Sequence, residues 1–124
     1  MRQMTVLLVE DNADDEELSL WALNQAGQTD VTVARDGVQA LSLLLQDQGS
    51  SRFSPDVVIL DLRLPLVDGI EVLRQLRANE KTKELKIFAL TSSEAPPDMV
   101  SCMEFGVSAV LSKPLDSKIL QEYL

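Results

Sequence analysis

The chain contains no histidine and a single cysteine, Cys102. These shortages exclude much of the side-chain chemistry that small enzymes use. Without an imidazole there is no Ser-His-Asp or Cys-His pair and no His-ligated zinc. A lone thiol builds neither a disulfide framework nor a cysteine metal site. Any metal must therefore be a hard cation held by oxygens. Cationic residues are also scarce, with 11 Lys and Arg against 20 Asp and Glu, for a net charge of −9. That balance lacks the surplus that binds phosphate backbones, so direct nucleic-acid binding is not expected. No apolar run approaches the about 18 residues that span a bilayer. Val6 to Val9 is too short for a signal peptide and runs into an acidic pair. A cytoplasmic protein without membrane contact is the expectation.

What is present suits one domain: 124 residues, 45% apolar and 25% charged. The pattern alternates strand and helix five times. Thr5 to Val9 is a continuous apolar run, as in a strand buried on both faces of a parallel sheet. Asp14-Asp15-Glu16-Glu17 then opens a helix with negative charge where the helix dipole favours it. Its expected inner face is Leu18, Trp21, Ala22 and Gln25, and Gly27 ends it. Val31 to Ala34 is a second strand. Asp36 caps a helix with Val38, Leu41, Leu44 and Leu45 on its apolar face. Gln46 to Ser54 reads as an exposed loop. Val57 to Leu60 is a third strand, ending at Asp61, and Pro65 marks a turn. A helix from about Gly69 to Asn79 turns Ile70, Leu73 and Leu76 inward. Leu85 to Leu90 is a fourth strand, ending at Thr91. Pro96-Pro97 suits the first turn of a helix carrying Met99, Val100 and Met103 and stopping near Gly106. Ala109 to Leu111 is a fifth strand, and Asp116 opens a last helix through Ile119, Leu120 and Tyr123. The chain ends at Leu124 with that helix still in pattern, so a truncated fifth helix, or a place in a longer protein, is expected.

Strands alternating with helices imply an α/β fold, a doubly wound parallel sheet with helices on both faces. Such sheets place their sites at the carboxyl ends of the strands. Polar residues stand there on four strands: Glu10 and Asp11 after the first, Asp61 after the third, Thr91 after the fourth and Lys113 after the fifth. Singly, each has an ordinary reading as a turn former, a helix cap or a solvent lysine. Together they bring three carboxylates, a hydroxyl and an ammonium to one edge. Packed carboxylates repel and are driven towards protonation unless a cation balances them. Mg²⁺ accepts one to three carboxylates and keeps waters for a phosphate. Phosphoryl transfer needs an acceptor, a metal and donors for the phosphoryl oxygens. Asp61 suits the acceptor, Glu10 and Asp11 the metal, and Thr91 and Lys113 the donors.

At this point the chain resembles a family. Val6-Leu7-Leu8-Val9-Glu10-Asp11-Asn12, Val58 through Gly69, Leu90-Thr91-Ser92 and Ser112-Lys113-Pro114 are similar to the four signatures of response-regulator receiver domains. They occur in order over nearly the whole chain, with 30 residues from Asp61 to Thr91 and 22 from Thr91 to Lys113. The segments around Glu10 and Thr91 further resemble stand-alone receivers that serve phytochrome-like and other sensor kinases. The resemblance implies a single receiver domain over 1–124 with strand order 2-1-3-4-5. It implies phosphorylation of Asp61 by a sensor histidine kinase or a histidine phosphotransfer protein. Mg²⁺ would be held by Asp11, Asp61 and the backbone carbonyl of Arg63, with Glu10 contacting it through water. Thr91 would move towards the phosphoryl group and Lys113 would pair with it. This would remodel the face of the fourth helix, fifth strand and fifth helix for a downstream protein target. The resemblance would also give the same face as a surface for a homodimer. The protein would act on its own phosphorylation and not as an enzyme on other substrates.

Two positions qualify this picture. The family usually has Tyr or Phe three residues before the lysine, as a rotamer switch; Val110 stands there. Either output uses another coupling or the valine simply packs. Arg63, two residues after Asp61, stands where the family sets phosphate lifetime, and its side chain either shields the acyl phosphate or contacts a partner. The alternative function is a pseudo-receiver, an interaction module with atypical switching. An aspartate-nucleophile phosphatase would want an acid at Arg63. A flavodoxin-like cofactor binder would want a Ser/Thr/Gly-rich loop in place of Glu10-Asp11-Asn12.

Overall fold

The computed structural model describes residues 4–45, 53–92 and 99–124. Most of the expected loop from Gln46 and the Pro96-Pro97 helix start lie outside them, as do the side chains of Met99 and Val100. The elements follow in order: β1 (Thr5–Val9), α1 (Ala13–Gln25), β2 (Asp30–Ala34), α2 (Gly37–Leu45), β3 (Val57–Asp61), α3 (Gly69–Ala78), β4 (Lys86–Thr91), α4 (Met99–Glu104), β5 (Ala109–Ser112) and α5 (Ser117–Tyr123). The five strands form one parallel sheet in the order β2-β1-β3-β4-β5, as expected.

The apolar runs explain the strands. Parallel strands with helices on both faces must be apolar on both faces. β3 is buried at every residue, and β1 at all but its first. Alternate residues feed two cores. Leu7, Val9, Val58, Leu60, Ile87 and Ala89 face α2, α3 and α4, where Leu44, Val72, Leu73, Leu76 and Cys102 cover them. Val6, Leu8, Val57, Ile59, Phe88 and Leu90 face α1 and α5, under Ala22, Leu23 and Leu120.

The helix starts are set by side-chain caps. Asn12 accepts from the Asp15 N–H at 2.9 Å and begins α1. Asp36 accepts from the Gln39 N–H at 2.8 Å ahead of α2. Asp116 accepts from the Lys118 N–H at 2.7 Å and begins α5. Gly27 takes a left-handed φ of 87° just past α1, the conformation that ends a helix. At the amino ends of the strands, Arg77 on α3 donates to the carbonyls of Phe105 at 2.7 Å, Leu85 at 2.7 Å and Lys83 at 3.1 Å.

Several expected inner faces differ. On α1 the buried residues are Ser19, Ala22 and Leu23, while Leu18 is 52% and Trp21 63% exposed. Small residues let α1 lie close to the sheet, and the phase that buries Leu23 turns Leu18 and Trp21 outward. Trp21 lines a shallow hollow with Pro114, Leu115, Asp116, Ser117 and Lys118. On α2, Gly37, Ala40 and Leu44 are buried and Val38 is exposed. Gly37 is needed there because a Cβ would sit 2.2 Å from the Val67 carbonyl oxygen. On α3 Val72 joins Leu73 and Leu76 inside, with Ile70 only partly buried. Met103, Ile119 and Tyr123 are exposed.

Candidate functional site

Parallel pairing aligns the carboxyl ends of β1, β3, β4 and β5, so the residues that close each strand meet at one edge. Asp61 is the last residue of β3 and Thr91 the last of β4, both buried. Glu10 follows β1 directly and is completely buried; Asp11 beside it is exposed. Lys113 follows β5, its N–H donating to the Thr91 carbonyl at 2.8 Å. The Lys113–Pro114 peptide bond is cis.

The lysine is the hub of the site. Its Nζ lies 2.8 Å from Asp61 Oδ2, 2.9 Å from Glu10 Oε1 and 2.9 Å from Asp15 Oδ2. Asp61 Oδ1 accepts from the Arg63 N–H at 2.9 Å, so both oxygens of this carboxylate meet donors. Glu10 Oε2 accepts from the Asn12 N–H at 3.3 Å. Glu10 Oε1 is close enough to Lys113 for an ion pair but not oriented for a hydrogen bond. It is a buried side-chain oxygen left without one. Burial, reinforced by the neighbouring Asp61 carboxylate, pushes the Glu10 carboxyl up to about 7. Burial opposes the Lys113 charge, but Asp61, Asp15 and Glu10 outweigh it and hold the ammonium above its ordinary pKa.

The local chain is shaped to let α3 reach this edge. A Cβ on Gly69 would lie 2.6 Å from both the Asp61 carbonyl oxygen and Leu62 Cα. Only glycine lets the start of α3 pack so tightly against the end of β3. Leu66, between them, takes a φ of 68°.

The structure thus brings Glu10, Asp11, Asp61 and Lys113 together. Thr91 stands one residue beyond Leu90, the register partner of Asp61. Arg63 points an exposed side chain away from the core and turns its backbone N–H to Asp61. Val110 is half-buried and packs against the core on the α2-α3-α4 face. Sequence reasoning misses Asp15, because the helix dipole already accounts for an acidic residue in a first turn. The available signal was position: the first turn of a helix that follows β1 directly lies at the same edge as the end of β1.

The oxygens of Glu10, Asp11 and Asp61 lie within 4.8 Å of one another. An all-carboxylate set with a buried oxygen lacking a hydrogen bond fits a hard divalent cation.

A doubly wound sheet whose acidic carboxyl edge is bridged by a lysine defines a two-component signalling domain of flavodoxin-like fold. The chain belongs to the response regulator receiver domain family, whose model matches residues 6–124. Phosphoryl acceptance is general for that family. The chain is 38% identical over 94% of its length to the probable methanogenesis regulatory protein FilR2 of Methanothrix harundinacea, covering 76% of that protein. It is 34% identical over 93% of its length to response regulator Rcp1 of Synechocystis sp., covering 80% of it. Among solved structures, the bacteriophytochrome response regulator RtBRR superposes with a TM-score of 0.85 at 38% identity, over 96% of this chain and 74% of that one. The receiver domain of sensor histidine kinase PA1611 from Pseudomonas aeruginosa PAO1, solved with magnesium in its active-site cleft, superposes with a TM-score of 0.80 at 32% identity, over 98% of this chain and 94% of that one.

Proposed function

We propose that Asp61 accepts a phosphoryl group from a histidine kinase or a histidine phosphotransfer protein, in a Mg²⁺-dependent reaction, and that the modified domain changes its binding to a downstream protein. The observation that carries this reading is the buried Asp61 carboxylate held 2.8 Å from the Lys113 ammonium. A cation beside a carboxylate lowers the repulsion felt by an incoming phosphate. In the step, an Asp61 carboxylate oxygen bonds to phosphorus as the bond from phosphorus to the donor breaks, and the donor keeps the electron pair. Lys113 then pairs with a phosphoryl oxygen, and Thr91 donates its hydroxyl to another. Glu10 and Asp11, with Asp61 and the Arg63 carbonyl, would hold the metal, which when bound neutralises charge on the transferring group. The domain works on its own acyl phosphate and not as an enzyme on other substrates. A cytoplasmic location goes with this reading.

Val110 alters how the event spreads. A packed valine has no second, exposed rotamer of the kind an aromatic ring offers, so output at the α4-β5-α5 face would not run through a ring switch at this position.

The test is incubation with acetyl phosphate and Mg²⁺ followed by intact mass and peptide mapping. One phosphoryl group on Asp61, lost in Asp61→Asn with the fold retained, is expected. Labelling of Asp61→Asn at the wild-type rate would refute the assignment, and an unlabelled wild type would leave an interaction module.

A further inference from the structure

We propose that Asp15 is a positioning residue that trades phosphoryl acceptance against cation binding at this site, an inference that rests on the reading of Asp61 as acceptor. Lys113 Nζ touches Asp15 and Asp61 equally closely, at 2.9 and 2.8 Å. The two residues are 98 and 52 positions from the lysine in sequence, so the contact ties α1 to the β5–α5 turn across the site. The Asp15 backbone is fixed at the start of α1, where its N–H donates to the Asn12 cap at 2.9 Å.

Glu10, Asp11 and Asp61 form the oxygen cluster suited to a cation, and Asp15 is not part of it. Asp15 is therefore the lysine's partner that remains when a metal and a phosphoryl group engage the others. Two consequences follow from its charge. One nitrogen bridges the two carboxylates, so they lie less than about 6 Å apart, a range at which charges interact strongly in a partly buried site. A negative charge there attracts a divalent cation and repels an incoming phosphoryl dianion. It also competes with the phosphoryl oxygens for Lys113. Removing the charge without changing the shape must move the two properties in opposite directions. Damage to the fold would move them in the same direction.

The experiment measures Mg²⁺ affinity by calorimetry, and the initial rate of Asp61 labelling by acetyl phosphate at saturating Mg²⁺. In that labelling an Asp61 oxygen bonds to phosphorus while the bond from phosphorus to acetate breaks and acetate leaves with the electron pair. Wild type, Asp15→Asn, Asp15→Glu and Asp14→Asn are compared. Asp15→Asn is expected to bind Mg²⁺ about three- to tenfold more weakly and to label faster by a similar factor. Asp15→Glu should return both values towards wild type, and Asp14→Asn, which removes the neighbouring exposed charge, should leave them near it. Loss of both properties together, no change in either, the same effect from Asp14→Asn, or loss of cooperative melting in Asp15→Asn would overturn the proposal alone. A wild type that takes no phosphoryl group would overturn this proposal and the acceptor reading together.

Discussion

Glu10 makes stability depend on pH in a way that can be calculated. Its carboxyl is completely buried and pushed from 4.5 to about 7 in the folded chain. The folded state therefore holds this proton more tightly than the unfolded chain does. A group raised in this way stabilises the fold fully below its unfolded pKa. That contribution is lost as pH rises through the folded value. Between pH 5 and pH 8 the loss is roughly 2 to 3 kcal/mol. For a domain of this size that lowers the melting temperature by about 10 °C. No histidine exists to titrate in the same window. The assay is thermal melting of wild type and Glu10→Gln from pH 5 to 8, in chelator. Wild type should lose stability steadily, and the amide, which carries no titrating proton, should flatten the profile. Saturating Mg²⁺ should flatten the wild-type profile as well, since a cation favours the ionised carboxylate. A flat wild-type profile in chelator, or an equal slope in Glu10→Gln, would refute the reasoning.

Mg²⁺ at a hundredfold its dissociation constant should stabilise the chain by about 2.7 kcal/mol. Asp11→Ala should abolish most of that rise in melting temperature, and an unchanged rise would remove Asp11 from the metal set. Leu23→Ala should cost about 2 to 5 kcal/mol in denaturant unfolding, because it empties a filled site under the sheet. Trp21→Ala on the outer face of the same helix should cost less than about 1 kcal/mol, and a reversed order would restore the expected inner face. Gly69→Ala should destabilise by about 1 to 3 kcal/mol, since its Cβ meets backbone that has nowhere to go. It should also slow Asp61 labelling, which a purely distant effect would not do.

The sheet and its site edge were legible for one physical reason. A strand buried on both faces must be apolar throughout, so the first polar residue after Val9, after Leu60 or after Leu90 marks where the strand leaves the core. Helix faces carried less information. Leu18 and Trp21 repeat at helical spacing, yet α1 packs through Ser19 and Ala22, because close approach to a sheet rewards small side chains over large ones. Asp15 was hidden for a different reason. Its contact with Lys113 joins residues 98 apart, and acidic residues in a first turn have a local explanation already. The pattern also called for a cation among the carboxylates. Part of that cation is Lys113 itself, which the spacing placed at the edge without revealing that it pairs with three acids at once.

The outward turn of Trp21 leaves the chain with its own optical probe. It is the sole tryptophan, 63% exposed, and it borders the hollow formed by the turn that begins at Pro114, the residue after the lysine hub. An indole in water emits at long wavelength and is open to quenchers, so any repositioning of that turn alters its light. If Asp61 takes a phosphoryl group with Mg²⁺ as proposed, a shift of Trp21 emission on adding Mg²⁺ or acetyl phosphate to the unlabelled protein is the expected outcome. Iodide access to one ring would tell whether α1 and the β5–α5 turn move together or apart.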